Sequence, residues 1–485
     1  SLVKAVSKGD WILLDEINLA STETLECISG LLQDSESSLL LTEKGDSKPI
    51  SRHPNFRVFA CMNPATDVGK RDLPPGLRSR FSEFYVHPPD NNHDDLLAIV
   101  RQYLAGCTHG DERACADIVE FYMSVKDFVR QHKLADGSNQ TPHFSMRTLT
   151  RALTFTSHIA PTYGLRRSIY ESFVMTFVTQ LNKESEIIIR DLLRKHLLGS
   201  VKNPAALLRQ IPGEPSDGRY LQFGSFWLRM SDRPSEEIPH YILTPSVRKN
   251  LENLSRVVMS NRYPVLLQGP TSAGKTSMVH YLAKLTGHRF VRINNHEHTD
   301  LQEYIGSYIS NSEGKLEFQE GILVESLRRG YWLVLDELNL APTDVLEALN
   351  RLLDDNRELL IPETQEVIKP HNDFMLFATQ NPPGLYAGRK VLSRAFRNRF
   401  VELHFDDIPE DELETILSER CKIAPSYCKR LVQVYKQLAG RRQGTRIFEQ
   451  KHGFITLRDL FRWAERGAVG YQELAEHGYM LLAER

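Results

Sequence analysis

Trp11 to Ala20 reads WILLDEINLA and Trp332 to Ala341 reads WLVLDELNLA, with seven of ten positions identical. Each segment is a short apolar run that ends on an Asp-Glu pair, Asp15-Glu16 in the first and Asp336-Glu337 in the second. Short apolar runs closed by turn residues suit strands of a parallel sheet covered on both faces. The likeness extends beyond these segments. FRVFACMNP (56–64) parallels FMLFATQNP (374–382), LRSRF (77–81) parallels FRNRF (396–400), and MRTLTRAL (146–153) parallels LRDLFRWA (457–464). Four blocks in one order, at a nearly constant spacing, are two copies of one module.

The copies are unequal. In the second, the residues before Trp332 include Gly269-Pro270-Thr271-Ser272-Ala273-Gly274-Lys275-Thr276, followed by Ser277. This is a full G-x-x-x-x-G-K-T loop after an apolar run (PVLLQ) and before a helical pattern, the context that a phosphate-binding loop requires. Its glycines let backbone N–H groups turn onto phosphate oxygens at a helix N-terminus. Lys275 is placed for the β- and γ-phosphates of ATP and Thr276 for Mg²⁺. Only ten residues precede Trp11, so the first copy lacks this loop and reads as the back part of a module.

Strands alternating with helices predict an α/β fold, here two parallel-sheet P-loop cores, each followed by a helical lid. The expected boundaries are 1–89 for the first core, 90–205 for its lid, 206–240 for a linker, 241–408 for the second core and 409–485 for the second lid. Arg166 to Leu198 is a long amphipathic run that reads as lid helices. The proline- and glycine-bearing stretch Ile211 to His240 reads as a linker, in which YLQFGSFWLRM has strand character.

Around the loop, Asp336 is the expected ligand of the magnesium shell and Glu337 the expected general base for the attacking water. Asp15 and Glu16 are their counterparts. Asn381 and its counterpart Asn63 close a strand, where either orients the water or caps a turn before proline. Arg399 and Arg80 precede phenylalanine at matching places, as an arginine finger does, while Arg397 and Arg78 stand two residues earlier as alternatives. Arg458 and Arg147 open lid helices and either sense nucleotide or form surface ion pairs. LLIPETQEVIKP, with its interleaved glutamates, reads as a solvated hairpin rather than a basic patch.

Composition narrows the class. The net charge of −2, with 41% hydrophobic and 25% charged residues, is that of an ordinary globular protein. Nothing global points to a basic surface for nucleic acid, and direct sequence-specific nucleic-acid binding is not expected, although this net charge leaves room for a local basic groove. No apolar run approaches the roughly 18 residues of a membrane span. Ser1 to Lys8 has no signal-peptide character. The six cysteines are scattered without C-x-x-C pairs, which favours free thiols over a zinc or disulfide framework.

Taken together, the paired DE-[IL]-NLA segments, GPTSAGKTS, FATQNPPGLYAGRK and LSRAFRNRF resemble the midasin family of dynein-related AAA+ ATPases over essentially the whole chain. The resemblance implies tandem AAA+ modules of one polypeptide closing into a ring, with ATP and Mg²⁺ at each competent site. It implies that a module's nucleotide faces the next module along the chain, so that Arg399 would serve the site of Asp15 and Glu16. It further implies release of assembly factors from pre-60S ribosomal particles, in the nucleolus and nucleoplasm. A dynein-type motor fragment and a nucleotide-binding structural module without turnover are the alternatives. The first lacks the long heptad coiled coil that a stalk needs.

Overall fold

The computed structural model describes residues 2–33, 38–39, 49–63, 72–108, 110–216, 218–238, 241–310, 314–354, 356–381, 391–444 and 456–482. PPGLYAGRK, part of the segment quoted above, lies outside them. The chain forms two compact units, Ser1–Pro89 and Asp90–Arg485.

In the first unit, Trp11–Leu14 pairs in parallel with Arg57–Ala60, Trp11 opposite Arg57. Helix Thr22–Leu31 follows the Asp-Glu turn and is capped by Ser21, whose hydroxyl accepts from the Thr24 amide at 3.4 Å. The rings of Trp11 and Phe59 lie 5.3 Å apart, and Trp11 is 72% exposed.

The second unit is built on a five-stranded parallel sheet. Its order is Val401–His404, Val265–Gln268, Met375–Gln380, Trp332–Asp336, Phe290–Asn294. The three central strands are buried along their whole length, which is why their sequences are continuous apolar runs rather than alternations. Trp332 stands opposite Met375, the same register as Trp11 opposite Arg57. Its ring lies 5.2 Å from Phe377, repeating the Trp11–Phe59 pair, yet it is only 1% exposed. The difference has a plain cause. Trp332 shares a core with Val265 and Leu267 of the phosphate-loop strand and Val279 and Leu282 of the helix behind it, elements that the first copy does not contain in this chain.

The lid region after the first copy packs within the second unit. It comprises helices Arg113–Arg130, Met146–Tyr163, Leu165–Phe173 and Lys183–Leu197, among others. The lid helices expected over 166–198 are Leu165–Phe173 and Lys183–Leu197; between them Val174–Val178 forms a π-helical turn, and Asn182 restarts the chain as a cap that accepts from the Ser185 amide at 3.0 Å. This corner covers the sheet edge. The Thr179 hydroxyl donates to the Glu402 carbonyl at 2.7 Å, and the His404 amide donates to the Thr179 carbonyl at 2.7 Å. The stretch read as a linker is equally fixed. Tyr220–Phe223 and Phe226–Arg229 form an antiparallel hairpin whose Phe226 and Leu228 are buried with Leu251 and Leu254 of helix Pro245–Val258. Alternating apolar side chains on one face of that hairpin bind it to the core, whatever the prolines around it suggest.

LLIPETQEVIKP forms the expected hairpin, Leu359–Ile361 against Glu366–Ile368. Its charges are shared with neighbours: Arg328 meets Glu366 at 2.8 Å and Lys369 meets Glu358 at 3.7 Å. A further hairpin, Gly306–Ser310 with Leu316–Glu320, follows the second sheet strand and was not read from the sequence. The second lid comprises Glu410–Cys421, Pro425–Gly444, Leu457–Ala464 and Tyr471–Leu482.

Candidate functional site

The loop from Gly269 to Gly274 leaves the strand Val265–Gln268 and enters helix Lys275–Leu285. Two residues take the left-handed backbone that the turn needs, Ser272 (φ 69°) and Gly274 (φ 84°). Gly269 admits no side chain for another reason: a Cβ there would lie 2.5 Å from the Phe405 carbonyl oxygen. The Thr271 and Ser272 hydroxyls are buried without a hydrogen-bond partner among the described residues. Buried unpartnered hydroxyls cost on the order of 1–3 kcal/mol each, and a ring of phosphate oxygens is the kind of acceptor that removes this cost. The residues therefore fit the triphosphate that the motif implies.

Lys275 points back across the loop. Its ammonium donates to the carbonyls of Gly269 at 2.8 Å and Pro270 at 2.7 Å, and to Asn381 Oδ1 at 2.9 Å. Asn381 in turn donates through Nδ2 to Glu337 Oε1 at 3.2 Å. One side chain thus joins the loop lysine to the carboxylate read as the base. Glu337 sits in the left-handed region (φ 52°, ψ 48°), which ends the strand abruptly and turns its carboxylate out of the sheet. Glu16 repeats this conformation (φ 52°, ψ 44°). A left-handed glutamate is strained, so its presence in both copies ties the conformation to the site rather than to local chance.

Asp336 is buried and held on every side. Thr276 donates to Oδ1 at 3.3 Å, the Thr379 hydroxyl also donates to Oδ1, and Arg292 pairs with Oδ2. Thr379 accepts from the Glu337 amide at 3.1 Å, tying the two acidic residues to the neighbouring strand. Thr276 and Asp336 thus form the adjacent oxygen pair that suits a Mg²⁺ ion and its waters.

Thr379, Arg292 and Asn339 were missed by the sequence reading. Asn339 donates to the Asn381 carbonyl at 3.2 Å and Asn18 donates to the Asn63 carbonyl at 3.1 Å, so the repeated NLA asparagine was a usable signal. Thr379 gave no such signal, because its counterpart in the first copy is Cys61.

The arginines separate by their contacts. Arg397 makes a bidentate ion pair with Glu402 at 3.0 and 2.6 Å and approaches Asp136 at 3.5 Å. Arg78 makes the same bidentate pair with Glu83, at 2.9 and 2.6 Å. The earlier arginine of each copy is therefore committed to holding its own turn. Arg399 instead reaches back to helix Thr343–Leu353 and its end, pairing with Asp354 at 2.7 Å and with Asn350. Arg80 reaches back to the Ser29 carbonyl, the position equivalent to Asn350. Arg399 hydrogen-bonds no phosphate-loop residue among the described residues. Arg147 and Arg458 are exposed at the second position of helices opened by capping boxes, Ser145 with Thr148 and Thr456 with Asp459. A cation at that end opposes the helix dipole, and both copies place one there.

The family described as AAA domain (dynein-related subfamily) matches residues 1–81 and 264–400. Two families described as Midasin AAA lid domain match residues 95–200 and 412–485. Midasin of Dictyostelium discoideum is 57% identical over 498 residues, covering 100% of this chain and 8% of that protein. The chain belongs to the midasin family. Midasin of Giardia intestinalis is 39% identical over 514 residues, again along the whole chain and 10% of that protein. An uncharacterized Staphylococcus aureus protein is 29% identical over 201 residues, 40% of this chain and 76% of its own length. The chain thus spans about a tenth of the midasin relatives' length, and within that span it has the α/β fold of the AAA domain.

Proposed function

We propose that this segment binds and hydrolyses ATP with Mg²⁺ and couples turnover to remodelling of pre-60S ribosomal particles in the nucleus, releasing their assembly factors. The observation that carries the ATPase reading is the chain of contacts from Lys275 through Asn381 to Glu337. Lys275 holds the phosphates, Asn381 keeps Glu337 oriented, and Glu337 takes the proton of the attacking water. Thr276 and Asp336 would hold the Mg²⁺ ion, which would supply charge neutralisation at the transferring phosphoryl group. Arg399 and Arg80 act as fingers on the nucleotide of another module. Arg147 and Arg458 contact the nucleotide of their own. The pre-60S client and nuclear location are what the resemblance to the midasin family implies.

Two variants separate binding from chemistry at the second copy. Lys275→Ala removes the main phosphate counter-charge, and ATP binding measured by calorimetry is expected to vanish. Glu337→Gln keeps the shape and the Asn381 contact, so binding persists while turnover stops. Equal ATP affinity in Lys275→Ala and the unchanged chain would remove the loop from the reading. The client is tested in the full-length parent: Glu337→Gln is expected to leave assembly factors on purified pre-60S particles, and unchanged particle composition would count against remodelling.

A further inference from the structure

The turn that bears Arg399 is gripped from the lid of the preceding copy. Asn398, Arg399 and Phe400 follow the short helix Arg394–Arg397, where carbonyl groups have no helical partner. Arg151, on lid helix Met146–Tyr163, spreads its guanidinium across all three of these carbonyls. It donates to Asn398 at 3.2 Å, Arg399 at 3.1 Å and Phe400 at 2.8 Å. Its plane is set by the Tyr263 ring, 5.1 Å away. A polar cleft lined by Thr148, Gln180, Arg397 and Glu402 flanks the contact. A planar fork of five N–H donors is what three converging carbonyls need, and no other side chain supplies it.

The repeat gives a second, independent observation. Arg147 and Arg151 stand four residues apart on one helix face, and Arg458 and Arg462 occupy the same two positions in the second lid. Arg462 is 61% exposed and meets only Asp459, at 3.8 Å, among the described residues. An arginine used for helix packing alone has no reason to recur at this position with such different surroundings.

We infer that Arg151 is a positioning residue for hydrolysis: it fixes the backbone of the 398–400 turn so that Arg399 is presented to the nucleotide of the neighbouring module. Arg462 is the same device for a further finger turn. The inference rests on the reading of Arg399 as a finger. Because Arg147 opens the same helix, contact of that arginine with nucleotide is transmitted to the finger turn through one rigid helical turn.

The test is a double-mutant cycle in the full-length parent, read as steady-state kcat and KM for ATP. A lost finger costs about 10³–10⁵ in rate at the site it serves. Arg151→Ala is expected to lower kcat by at least tenfold at the site that Arg399 serves, with KM changed less than twofold. It should add nothing to Arg399→Ala. Arg151→Lys should recover part of the rate, since an ammonium donates to the carbonyls without the planar fan. If Arg151→Ala does not accumulate as folded protein, Arg151→Lys carries the same cycle. A normal kcat in Arg151→Ala, or Arg151 and Arg399 losses that multiply, overturns the positioning role while the finger stands. A normal kcat in Arg399→Ala overturns both.

Discussion

His288 lies beneath the second sheet, its ring stacked 4.6 Å from that of Trp332. Thr286 Oγ1 donates to the Leu282 carbonyl at 2.7 Å and so accepts from His288 Nδ1, at 2.8 Å. Burial pushes the imidazole down from 6.5 to about 4. The unfolded chain therefore takes up this proton first as pH falls. Stability from the neutral ring is complete above about pH 6.5 and is lost progressively toward pH 4, by about 3 kcal/mol in all. Chemical denaturation at pH 7 and pH 4.5 should show a loss of stability in the unchanged chain that His288→Phe largely lacks. Equal losses in the two would assign the pH dependence to other groups. At this scale the sequence was legible where a residue recurs or belongs to a motif: Lys275, Asp336, Glu337 and Asn381 come together as read. It was silent on Thr379 and Arg292, because a hydroxyl and an arginine on the two strands that flank Trp332–Asp336 take meaning only from the pairing of each with that strand. It also left Arg397 and Arg399 open. Their contacts distinguish them, since a bidentate pair with Glu402 depends on where the chain turns.

Elements follow the sequence where periodicity is strong and depart where tertiary contacts decide. The central strands, the phosphate loop and the 359–368 hairpin were legible, each from a local pattern of apolar run and turn. The turn between the two lid helices was not. Residues 174–178 are buried throughout and apolar except Thr176, and nothing local announces the π-helical turn that lets Thr179 reach the sheet edge. The second lid supplies a case where local preference and packing oppose each other. Gly478 lies inside helix Tyr471–Leu482, where replacing glycine by alanine ordinarily stabilises by roughly 1 kcal/mol. Here a Cβ would lie 2.3 Å from Cζ2 of Trp463. That ring is buried and anchored by its Nε1 donating to the Leu474 carbonyl at 2.8 Å, so it has little room to yield. Overpacking of this kind costs about 1–3 kcal/mol, enough to reverse the sign. Gly478→Ala should lower the unfolding temperature of the chain, and a raised one would mean that the two helices separate easily.

At the scale of the molecule, the described residues of the chain include one set proposed here for binding and catalysis and two arginines proposed as fingers. The set is Lys275, Thr276, Asp336, Glu337 and Asn381, joined by the contacts described above. Arg399 belongs to the same core but is held by Asp354 and Asn350, and it has no hydrogen bond to that set among the described residues. If each module's nucleotide is served by the finger of the next module along the chain, the Lys275 site needs an arginine from a module that follows it, whereas Arg80 belongs to the first copy and Arg399 to the same copy as Lys275. The 485-residue chain should then bind ATP and hydrolyse it slowly. Any turnover requires one copy of the chain to lend its finger to another, a bimolecular step. Specific activity should therefore rise with protein concentration, and it should fall when Arg80 and Arg399 are both changed to alanine. A steady-state assay across a hundredfold dilution, with the association state followed by light scattering, reads both effects. Fast turnover that is independent of concentration in a demonstrated monomer would mean that the site is completed within one chain, and the assignment of Arg399 to a neighbour would fall.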